Sequence, residues 1–500
     1  MFEKNLMQIP FNNRYVTLGE GFFHRTRPTP VRKPELIRFN EALAAELGVS
    51  ADHAAESGAA VFSGNRLPEG AEPLAMAYAG HQFGHFVPQL GDGRALLLGE
   101  IDRPDGAGVD IHLKGSGRTC FSRNGDGRSA LGPVLREYLV SEAMHKLGVP
   151  TTRALAAVTT GEVVARERLL PGGVITRVAA SFVRVGTFQY FAARDDYAAV
   201  RQLADYVIGK NYPQLREHEQ PYVALLEAVV ERQAALIAQW MQIGFIHGVM
   251  NTDNMSIAGE TIDYGPCAFM DAYDHNQVFS SIDRNGRYAY SNQPSIGLWN
   301  LTRLAEALLP LLDENPQAAV SAAQQVLGGY AERHETAWLA GMRAKCGLTA
   351  CSDIENDADR SLIEELLAVM ANNRADFTLT FYHLSRMSDQ TSAQDDQLRA
   401  LFDNPAQIDA WLQKWRQRLR LEAQGDGARQ DRMQAVNPVY IPRNHQIEAA
   451  IRLAEDHGDF SVFHELHAVL QNPYLRQDGK ERYMQAPEPE EVVEYTFCGT

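Results

Sequence analysis

A short segment in the middle of the chain constrains its fold and chemistry most. It reads His247-Gly-Val-Met-Asn-Thr-Asp-Asn254 and is followed nine residues later by Asp263-Tyr-Gly. Two β-prone runs, Met255–Ile257 and Glu260–Ile262, flank an Ala-Gly pair, which predicts a two-residue hairpin. Such a hairpin would place Asn254 and Asp263 opposite each other, roughly 4.5–5.5 Å apart. Two oxygen-bearing side chains at that spacing can share one hard divalent cation, although Asp and Asn also end ordinary surface hairpins.

The same segment resembles the catalytic loop and metal-binding triplet of kinases, with one change. In kinase loops the catalytic Asp stands two residues after the His, and here that position is Val249. The Asn of the loop is kept as Asn254, and Asp253 stands beside it. The pattern predicts a chain that binds ATP and magnesium but lacks the usual base for activating a hydroxyl toward the γ-phosphate.

A lysine and a glutamate upstream form a second pattern. Lys114 ends the apolar run Val109–Lys114, and Glu137 lies in the predicted helix Pro133–Leu147. Because an unpaired buried ammonium is costly, Lys114 needs an anionic partner, and Glu137 is the natural candidate. Kinases use such a pair to hold the lysine for phosphate contact. The alternative is a solvated strand end and an exposed helix residue.

Two glycine-containing stretches could contact a nucleotide. Gly91 and Gly93 would let the backbone approach a phosphate, and Arg94 could supply charge. Glycines between strands are more often simple turns. The polar loop from Phe121 to Arg128 could form a lid over the nucleotide, and it could equally be a plain surface loop.

Two arginines interrupt strand-like segments. Arg177 lies in Ile175–Val178 and Arg184 in Phe182–Val185. Their spacing of seven is odd, so on one continuous strand they would face opposite sides of the sheet. They converge only if a bend intervenes, and Ala179-Ala-Ser181 could provide it. Arginine in an apolar strand favours a bound anion, with a structural salt bridge as the alternative.

The order of elements predicts an α+β, protein-kinase-like bilobal fold. Strands, a helix and further strands up to about residue 190 suit the small lobe, and helices dominate from Asp196 onward. We expect an N-terminal extension over 1–75, an N-lobe over 76–205, a C-lobe over 206–400 and a helical C-terminal region with a mobile acidic tail over 401–500. The remaining predicted elements are helix Pro34–Leu47, strand Arg94–Glu100, strands within 155–190, helix Tyr222–Ile243, and helices within 298–340, 360–386 and 405–420.

Composition excludes several classes of protein. The net charge of −16 argues against nucleic-acid binding, which needs clustered Lys and Arg. No apolar run approaches the roughly 20 residues that span a bilayer, and the N-terminus lacks the pattern of a secretion signal. The five cysteines are scattered and form no C-x-x-C pair. We expect a cytoplasmic protein with mostly reduced thiols, without nucleic-acid or membrane partners.

Several longer motifs resemble the selenoprotein O (SelO) family, which comprises pseudokinases that act as protein adenylyltransferases. The resemblance covers nearly the whole chain, and several of the motifs are unlike those of ordinary kinases. The motifs are Gly80-His-Gln-Phe-Gly84, Leu90-Gly-Asp-Gly-Arg94, His112-Leu-Lys-Gly-Ser-Gly117, Asn251-Thr-Asp-Asn-Met255, Asp263-Tyr-Gly-Pro266, Asn292-Gln-Pro, Trp299-Asn-Leu-Thr-Arg-Leu-Ala-Glu306 and Asn437-Pro-Val-Tyr-Ile-Pro-Arg-Asn-His445.

The resemblance implies that ATP binds reversed relative to kinases, with its α-phosphate facing the incoming hydroxyl. AMP would pass to Ser, Thr or Tyr of a protein substrate, pyrophosphate would leave, and Mg²⁺ or Mn²⁺ would assist. Asp253 is then the implied general base, and Asn254 and Asp263 hold the metal. The implied nucleotide-contacting set is Gly91, Gly93, Arg94, Lys114 with its partner Glu137, Asp126, Gly127, Arg177, Arg184 and Asp263.

The family also draws attention to the C-terminal Cys498. Many members carry selenocysteine or cysteine near this end, which in some is thought to pair with a cysteine after the metal-binding Asp. That second position corresponds to Phe279 here, and the nearby Cys267 is out of register. The resemblance therefore does not by itself predict a regulatory disulfide.

Three other hypotheses of function compete with AMP transfer. Uridylylation from UTP with Mn²⁺ fits the same residues, because no base-recognition residue is identifiable. An ordinary kinase is disfavoured by Val249. A non-catalytic ATP-binding scaffold is disfavoured because it has no chemical reason to keep a complete set of phosphate and metal residues. The sequence does not identify the target proteins or the oligomeric state.

Overall fold

The structure, a computed structural model, describes residues 7–349, 353–422 and 425–497. Its strands form one large antiparallel sheet and two short pairs. They are β1 (Phe23–Arg25), β2 (Glu35–Phe39), β3 (Leu74–Met76), β4 (Gly80–Gln82), β5 (His85–Val87), β6 (Ala95–Asp102), β7 (Gly108–Lys114), β8 (Ser129–Ala130), β9 (Arg153–Ala165), β10 (Leu169–Ala179), β11 (Phe245–Ile246) and β12 (Ala268–Phe269).

The large sheet has the order β1-β3-β6-β7-β10-β9-β2, with β8 added beside β10. The predictions of strands at Arg94–Glu100 and Val109–Lys114 are confirmed by β6 and β7. Side chains alternate along β7. Ile111 and Leu113 are fully buried in an apolar core on one face. The intervening Asp110, His112 and Lys114 therefore share the opposite face.

The α-helices follow mostly after the sheet and confirm the predicted helical regions from Tyr222 onward. They are α1 (Glu41–Glu46), α2 (Ala54–Phe62), α3 (Leu131–Lys146), α4 (Val185–Ala192), α5 (Tyr197–Asn211), α6 (Pro221–Gln242), α7 (Gln293–Leu312), α8 (Pro316–Gly328), α9 (Tyr330–Cys346), α10 (Asp353–Asn373), α11 (Phe377–Leu384), α12 (Asp395–Arg399), α13 (Pro405–Leu419), α14 (Asp426–Val436), α15 (Asn444–His457) and α16 (Ser461–Leu470).

The prediction of one helix over Pro34–Leu47 is wrong in its first half. Residues Glu35–Phe39 form the edge strand β2, which pairs with β9, and a helix follows only from Glu41. Asn40 begins that helix, because its side chain accepts a hydrogen bond from Leu43 N at 3.1 Å. Hydrogen bonds offered by β9 outweigh local helix propensity, so the N-terminal extension supplies strands to the sheet.

The hairpin predicted at Met255–Ile257 and Glu260–Ile262 is also wrong. The first run pairs with the segment before α4, where Ile257 N donates to Val183 O at 3.0 Å. The second run pairs elsewhere, since Thr152 N donates to Thr261 O at 3.0 Å. Partners distant in sequence thus replace the local pairing, and the strand predicted at Phe182–Val185 is only an isolated bridge before α4.

The chain has the mixed architecture expected of the α+β class, an antiparallel sheet followed by a helical region. Its kinase-like arrangement and its domain bounds remain predictions. No described helix is both long and apolar enough to cross a bilayer. Near the end of the acidic tail, Thr496 is buried and donates from its hydroxyl to Pro266 O at 2.6 Å. Cys498 lies outside the described residues.

Candidate functional site

A cleft of about 880 Å³ lies where the sheet meets the segment around Asp253. Its lining is rich in charged side chains and in glycine. The structure brings to this cleft every residue predicted from the sequence except Glu137, which lies directly behind it. These lining residues are Gly91, Gly93, Arg94, Lys114, Asp126, Gly127, Arg177, Arg184, Asp253, Asn254 and Asp263.

Three cations surround the carboxylate of Asp263. Its Oδ1 lies 2.6 Å from Arg177 Nη1 and 3.4 Å from Lys114 Nζ, and its Oδ2 accepts from Arg184 Nη1. Burial alone would raise the pKa of Asp263, but the three cations outweigh burial and hold it well below its usual range. Asp263 is thus an anion throughout the physiological pH range.

Glu137 of α3 holds two of these cations from behind. Its Oε2 lies 2.6 Å from Lys114 Nζ and its Oε1 lies 3.0 Å from Arg177 Nη1. Burial opposes the charge of Glu137, yet Lys114 and Arg177 lower its pKa below the usual range. The lysine–glutamate pair predicted from the sequence is therefore present, and both side chains are almost fully buried.

The two arginines converge because the chain bends between them. Strand β10 ends at Ala179, and Arg184 is the residue that precedes helix α4. Arg184 Nη1 also donates to Asp253 O at 2.6 Å, which fixes the loop before Asn254. Its guanidinium lies over the ring of Tyr78, 4.8 Å from the centroid. The bend predicted at Ala179–Ser181 is confirmed.

Sequence reasoning missed a histidine–aspartate pair that supports Arg177. His112 Nδ1 lies 3.0 Å from Arg177 Nη2, and its Nε2 lies 3.1 Å from Asp92 Oδ2. Because a guanidinium only donates, Nδ1 is the acceptor, so Nε2 carries the proton and donates to Asp92. Burial lowers the pKa of His112, which keeps it neutral. The period-two spacing of His112 and Lys114 on β7 was the available signal.

Asp253 lies in the short 3₁₀ turn Thr252–Asn254, and the backbone at Gly80 packs closely against its side chain. Its Oδ2 accepts from Gln82 Nε2 at 3.3 Å, and its Oδ1 is buried without a hydrogen-bond partner among the described residues. A Cβ at Gly80 would come within 2.5 Å of that Oδ1, so only glycine fits above it. Burial raises the pKa of Asp253 to about 6, although Arg184 works in the opposite direction.

The glycine loop and the loop after β7 pack against each other at the far end of the cleft. Gly91 has a φ of +76°, and a Cβ there would come within 2.3 Å of the Phe121 ring. Gly127, with a φ of +70°, lies so close to Gly117 that a Cβ would meet its backbone at 2.2 Å. Asp126 is held by Arg166 Nη1 at 2.8 Å. The predicted lid loop therefore forms part of the cleft wall.

The oxygen donors suit a hard cation that takes its other ligands from a substrate. Asn254 donates from Nδ2 to Val249 O at 2.9 Å, which leaves its amide oxygen as the remaining acceptor. Asp263 supplies a carboxylate. Among the described residues, no three His, Cys, Asp or Glu side chains cluster to hold a metal by themselves. This donor set fits Mg²⁺ or Mn²⁺, which commonly bind through one or two carboxylates together with phosphates and water.

Comparison with known proteins finds similarity over nearly the whole chain. A family model described as Protein adenylyltransferase SelO matches residues 5–471. The match spans the sheet, the cleft and most of the helical region.

Curated relatives cover the chain almost end to end, and each carries the name protein nucleotidyltransferase YdiU. The one from Rhodopseudomonas palustris (strain BisB5) is 60% identical over 497 residues, 99% of this chain and 100% of the relative. The one from Rhizobium johnstonii is 59% identical over 491 residues, 98% of this chain and 97% of the relative. The one from Rhizobium meliloti (strain 1021) is 58% identical over 490 residues, 98% of this chain and 99% of the relative.

Proposed function

This chain belongs to the SelO family and is an enzyme of the protein nucleotidyltransferase kind, and on that premise we propose that it transfers AMP from ATP to Ser, Thr or Tyr hydroxyls of other proteins. Pyrophosphate is the other product. The observation that carries the proposal is the group of three cations around Asp263, placed in the same cleft as Asp253 but with no acid at Val249.

The cations suit the outer phosphates of a nucleotide. Asp263 forms salt bridges with all three cations, whereas Glu137 forms them only with Lys114 and Arg177. The Nε atoms of both arginines are buried with no hydrogen-bond partner among the described residues. The fork of a guanidinium matches the geometry of phosphate oxygens and binds them through two parallel hydrogen bonds. We assign the β- and γ-phosphates, which leave as pyrophosphate, to Arg177 and Arg184.

Asn254 and Asp263 are the residues that would hold Mg²⁺ or Mn²⁺. When bound, the metal neutralises phosphate charge and stabilises the leaving pyrophosphate. The side chains around it have separate tasks. Lys114 and Arg177 fix the orientation of Asp263, and Arg184 ties the Asp263 carboxylate to the backbone of Asp253. The same arginine therefore couples the metal-binding residue to the candidate base.

Asp253 is assigned as the base that takes the proton of the incoming hydroxyl. The hydroxyl oxygen forms a bond to the α-phosphorus while the bond from that phosphorus to the bridging oxygen of the β-phosphate breaks. The proton goes to Asp253 and the electron pair leaves with pyrophosphate. A carboxylate whose pKa is raised to about 6 is ionised at neutral pH yet remains basic enough to accept a proton.

The reversed orientation of ATP is supported by the position of the apolar Val249. A side chain without a titratable group cannot deprotonate a hydroxyl toward a γ-phosphate in the kinase manner. Asp253 instead neighbours Arg184 and Asn254, at the end of the cleft assigned to phosphate and metal. Gly91, Gly93 and Arg94, with the loop containing Asp126 and Gly127, line the rest of the cleft, which we assign to the remainder of the nucleotide.

A paired labelling assay tests the proposal. Purified protein, Mg²⁺ and an acceptor protein are incubated with ATP labelled at the α-phosphate or at the γ-phosphate, each repeated with Asp263→Ala. Labelling only from the α-phosphate, lost in the variant, is expected. Labelling only from the γ-phosphate would identify a kinase and overturn the proposal. A third incubation with α-labelled UTP, if it alone labels the acceptor, would assign uridylylation instead.

A further inference from the structure

Part of the cleft is not accounted for by the nucleotide. Beyond Asp253 its lining continues to Gln82, Phe83, Asn251 and Ile282. These side chains carry no charge, and Ile282 is 59% exposed at the rim. A phosphate gains little from such a surface, whereas a hydroxyl-bearing side chain of a protein must reach Asp253 from outside. This end of the cleft is therefore where the residue to be modified has to enter.

The hairpin β4–β5 forms one wall of this entrance and is fixed to the Asp253 loop. Its turn residues Phe83 and Gly84 both have positive φ, +51° and +85°, which is the geometry of a tight two-residue hairpin turn. Phe83 N donates to Asn251 Oδ1 at 3.1 Å, and His81 N donates to Thr252 Oγ1 at 2.7 Å. The hairpin is thus a rigid wall for the entrance.

A cationic and aromatic group packs against the hairpin. The Trp299 ring of α7 has the guanidinium of Arg287 at 4.8 Å from its centroid and that of Arg303 at 5.0 Å. His81 meets the same ring edge-on, with centroids 5.1 Å apart. The family motifs that contain His81 and Trp299 therefore meet here, although neither has a part in nucleotide binding.

The two arginines of this group differ in how they are paired. Arg303 Nη2 lies 2.6 Å from Glu306 Oε1. Arg287 forms no salt bridge with any residue the structure describes, and its Nε is buried with no hydrogen-bond partner in that part of the chain. Arg287 lies against the hairpin turn, because a Cβ at Gly84 would be 3.5 Å from its Cζ. Arg287 contacts the aromatic side chains of Tyr288 and Trp299 but no carboxylate among the described residues, so in a chain of net charge −16 its guanidinium favours an anion.

We propose that the hairpin, Ile282 and Arg287 form the acceptor site, which binds an extended protein segment with an acidic side chain close to the modified hydroxyl. The assignment rests on the proposed AMP transfer and adds the class of segment that is modified. Gln82, which contacts Asp253, and Gly84, which lies against Arg287, are two residues apart, so their Cα atoms are at most about 7 Å apart. The acidic side chain therefore belongs within about three residues of the hydroxyl.

A peptide array tests this assignment. Each peptide carries one Ser, Thr or Tyr and a single Glu, Gln or Lys at one of the neighbouring positions, and AMP transfer is measured with α-labelled ATP. We expect the wild-type enzyme to favour Glu over Gln by about tenfold in kcat/KM, and to disfavour Lys. Arg287→Gln should bring the Glu-to-Gln ratio close to one, and Arg287→Lys should keep part of the preference.

Arg284→Gln is the matched control, because Arg284 lies exposed in the same segment and has the same charge. Its Glu-to-Gln ratio should equal that of the wild type. Equal labelling of Glu and Gln peptides would overturn the proposal, as would a preference that survives Arg287→Gln or is lost equally in Arg284→Gln. Labelling of folded proteins but of no peptide would overturn the proposal that the acceptor is an extended segment. No labelling of any acceptor from α-labelled ATP would instead contradict the proposed function itself.

Discussion

Two buried groups of charges lie on the same face of strand β7, at its two ends. At one end Asp110 and Glu100 share Lys210, and all three side chains are at most 3% exposed. At the other end Lys114 joins Asp263, which is 18% exposed and faces the cleft. The first group is closed to solvent and ligand, and the second is open to both.

The difference between the groups lies in how their charges are balanced. In the closed group, Glu100 also accepts from the Tyr206 hydroxyl at 3.0 Å, and Asp110 accepts from Phe182 N at 2.8 Å. In the open group three cations converge on Asp263. A buried charge network closed to solvent stabilises a fold, whereas one with three cations for two carboxylates beside a cleft keeps a positive charge for a bound anion.

The substitution Asp263→Ala should have the largest effect, because it is expected to abolish transfer in the open group without unfolding the protein. Loss of this carboxylate removes a metal ligand, so transfer should fall by at least about 1,000-fold. Folding should be retained, because Asp263 is partly hydrated and Glu137 still pairs with Lys114 and Arg177. Steady-state transfer and thermal unfolding would be measured on the same preparation. A variant that unfolds, with activity per folded molecule intact, would place Asp263 in a structural role.

Asp253→Asn tests the chemistry of the open group. Transfer should slow by about 100- to 10,000-fold, the usual contribution of a general base, while the Kd of ATP changes little. The wild-type rate should rise with pH through about 6, because the carboxyl must lose its proton before it can accept one. The pH–rate profile of kcat/KM checks this. Equal losses in ATP binding and in transfer would argue against a base.

Lys210→Met tests the closed group. The substitution leaves Asp110 and Glu100 buried without their shared cation, so the free energy of unfolding should fall by about 3–5 kcal/mol. Lys414→Met is the matched control, since its ion pair with Glu365 is exposed and should be worth at most about 1 kcal/mol. Denaturant titration reports both. If the two variants lost equal stability, the closed group would not be the structural element described.

Glu260→Gln should have the smallest effect, and its sign depends on pH. Glu260 accepts from Ala180 N at 2.9 Å, and burial together with the nearby Asp110 raises its pKa to about 7. The carboxyl is therefore stabilising while protonated, and that stability is lost as pH rises through about 7. The variant should melt a few degrees above the wild type at pH 8 and equal it at pH 5. The same difference at both pH values would contradict the account.

The comparison also shows what sequence can and cannot predict. Lys114 and Glu137 were predictable because a lysine at the end of an apolar strand requires an anion, and α3 follows directly. The convergence of Arg177 and Arg184 required only a bend, whereas Asp263 as their shared partner was not predicted. These inferences depend on local pattern and on the high cost of burying an unpaired charge.

Other features depend on contacts between segments distant in sequence. The hairpin predicted at residues 255–262 failed because β-prone residues find better partners near Val183 and Thr152. Gln82 reaches Asp253 across 171 positions, a contact that no periodicity reports. The closed group was missed because Lys210 lies in the last turn of α5, where a lysine is usually exposed to solvent. Only the contact between this helix and strand β6 shows that Lys210 is buried against Glu100.

A crystal structure with a non-hydrolysable ATP analogue and Mg²⁺ tests the central claim most directly. The account predicts that the α-phosphate faces Asp253, that the β- and γ-phosphates contact Arg177 and Arg184, and that the metal contacts Asn254 and Asp263. A γ-phosphate facing Asp253, with the α-phosphate buried beyond the arginines, would contradict the reversed orientation and with it the assignment of AMP as the transferred group.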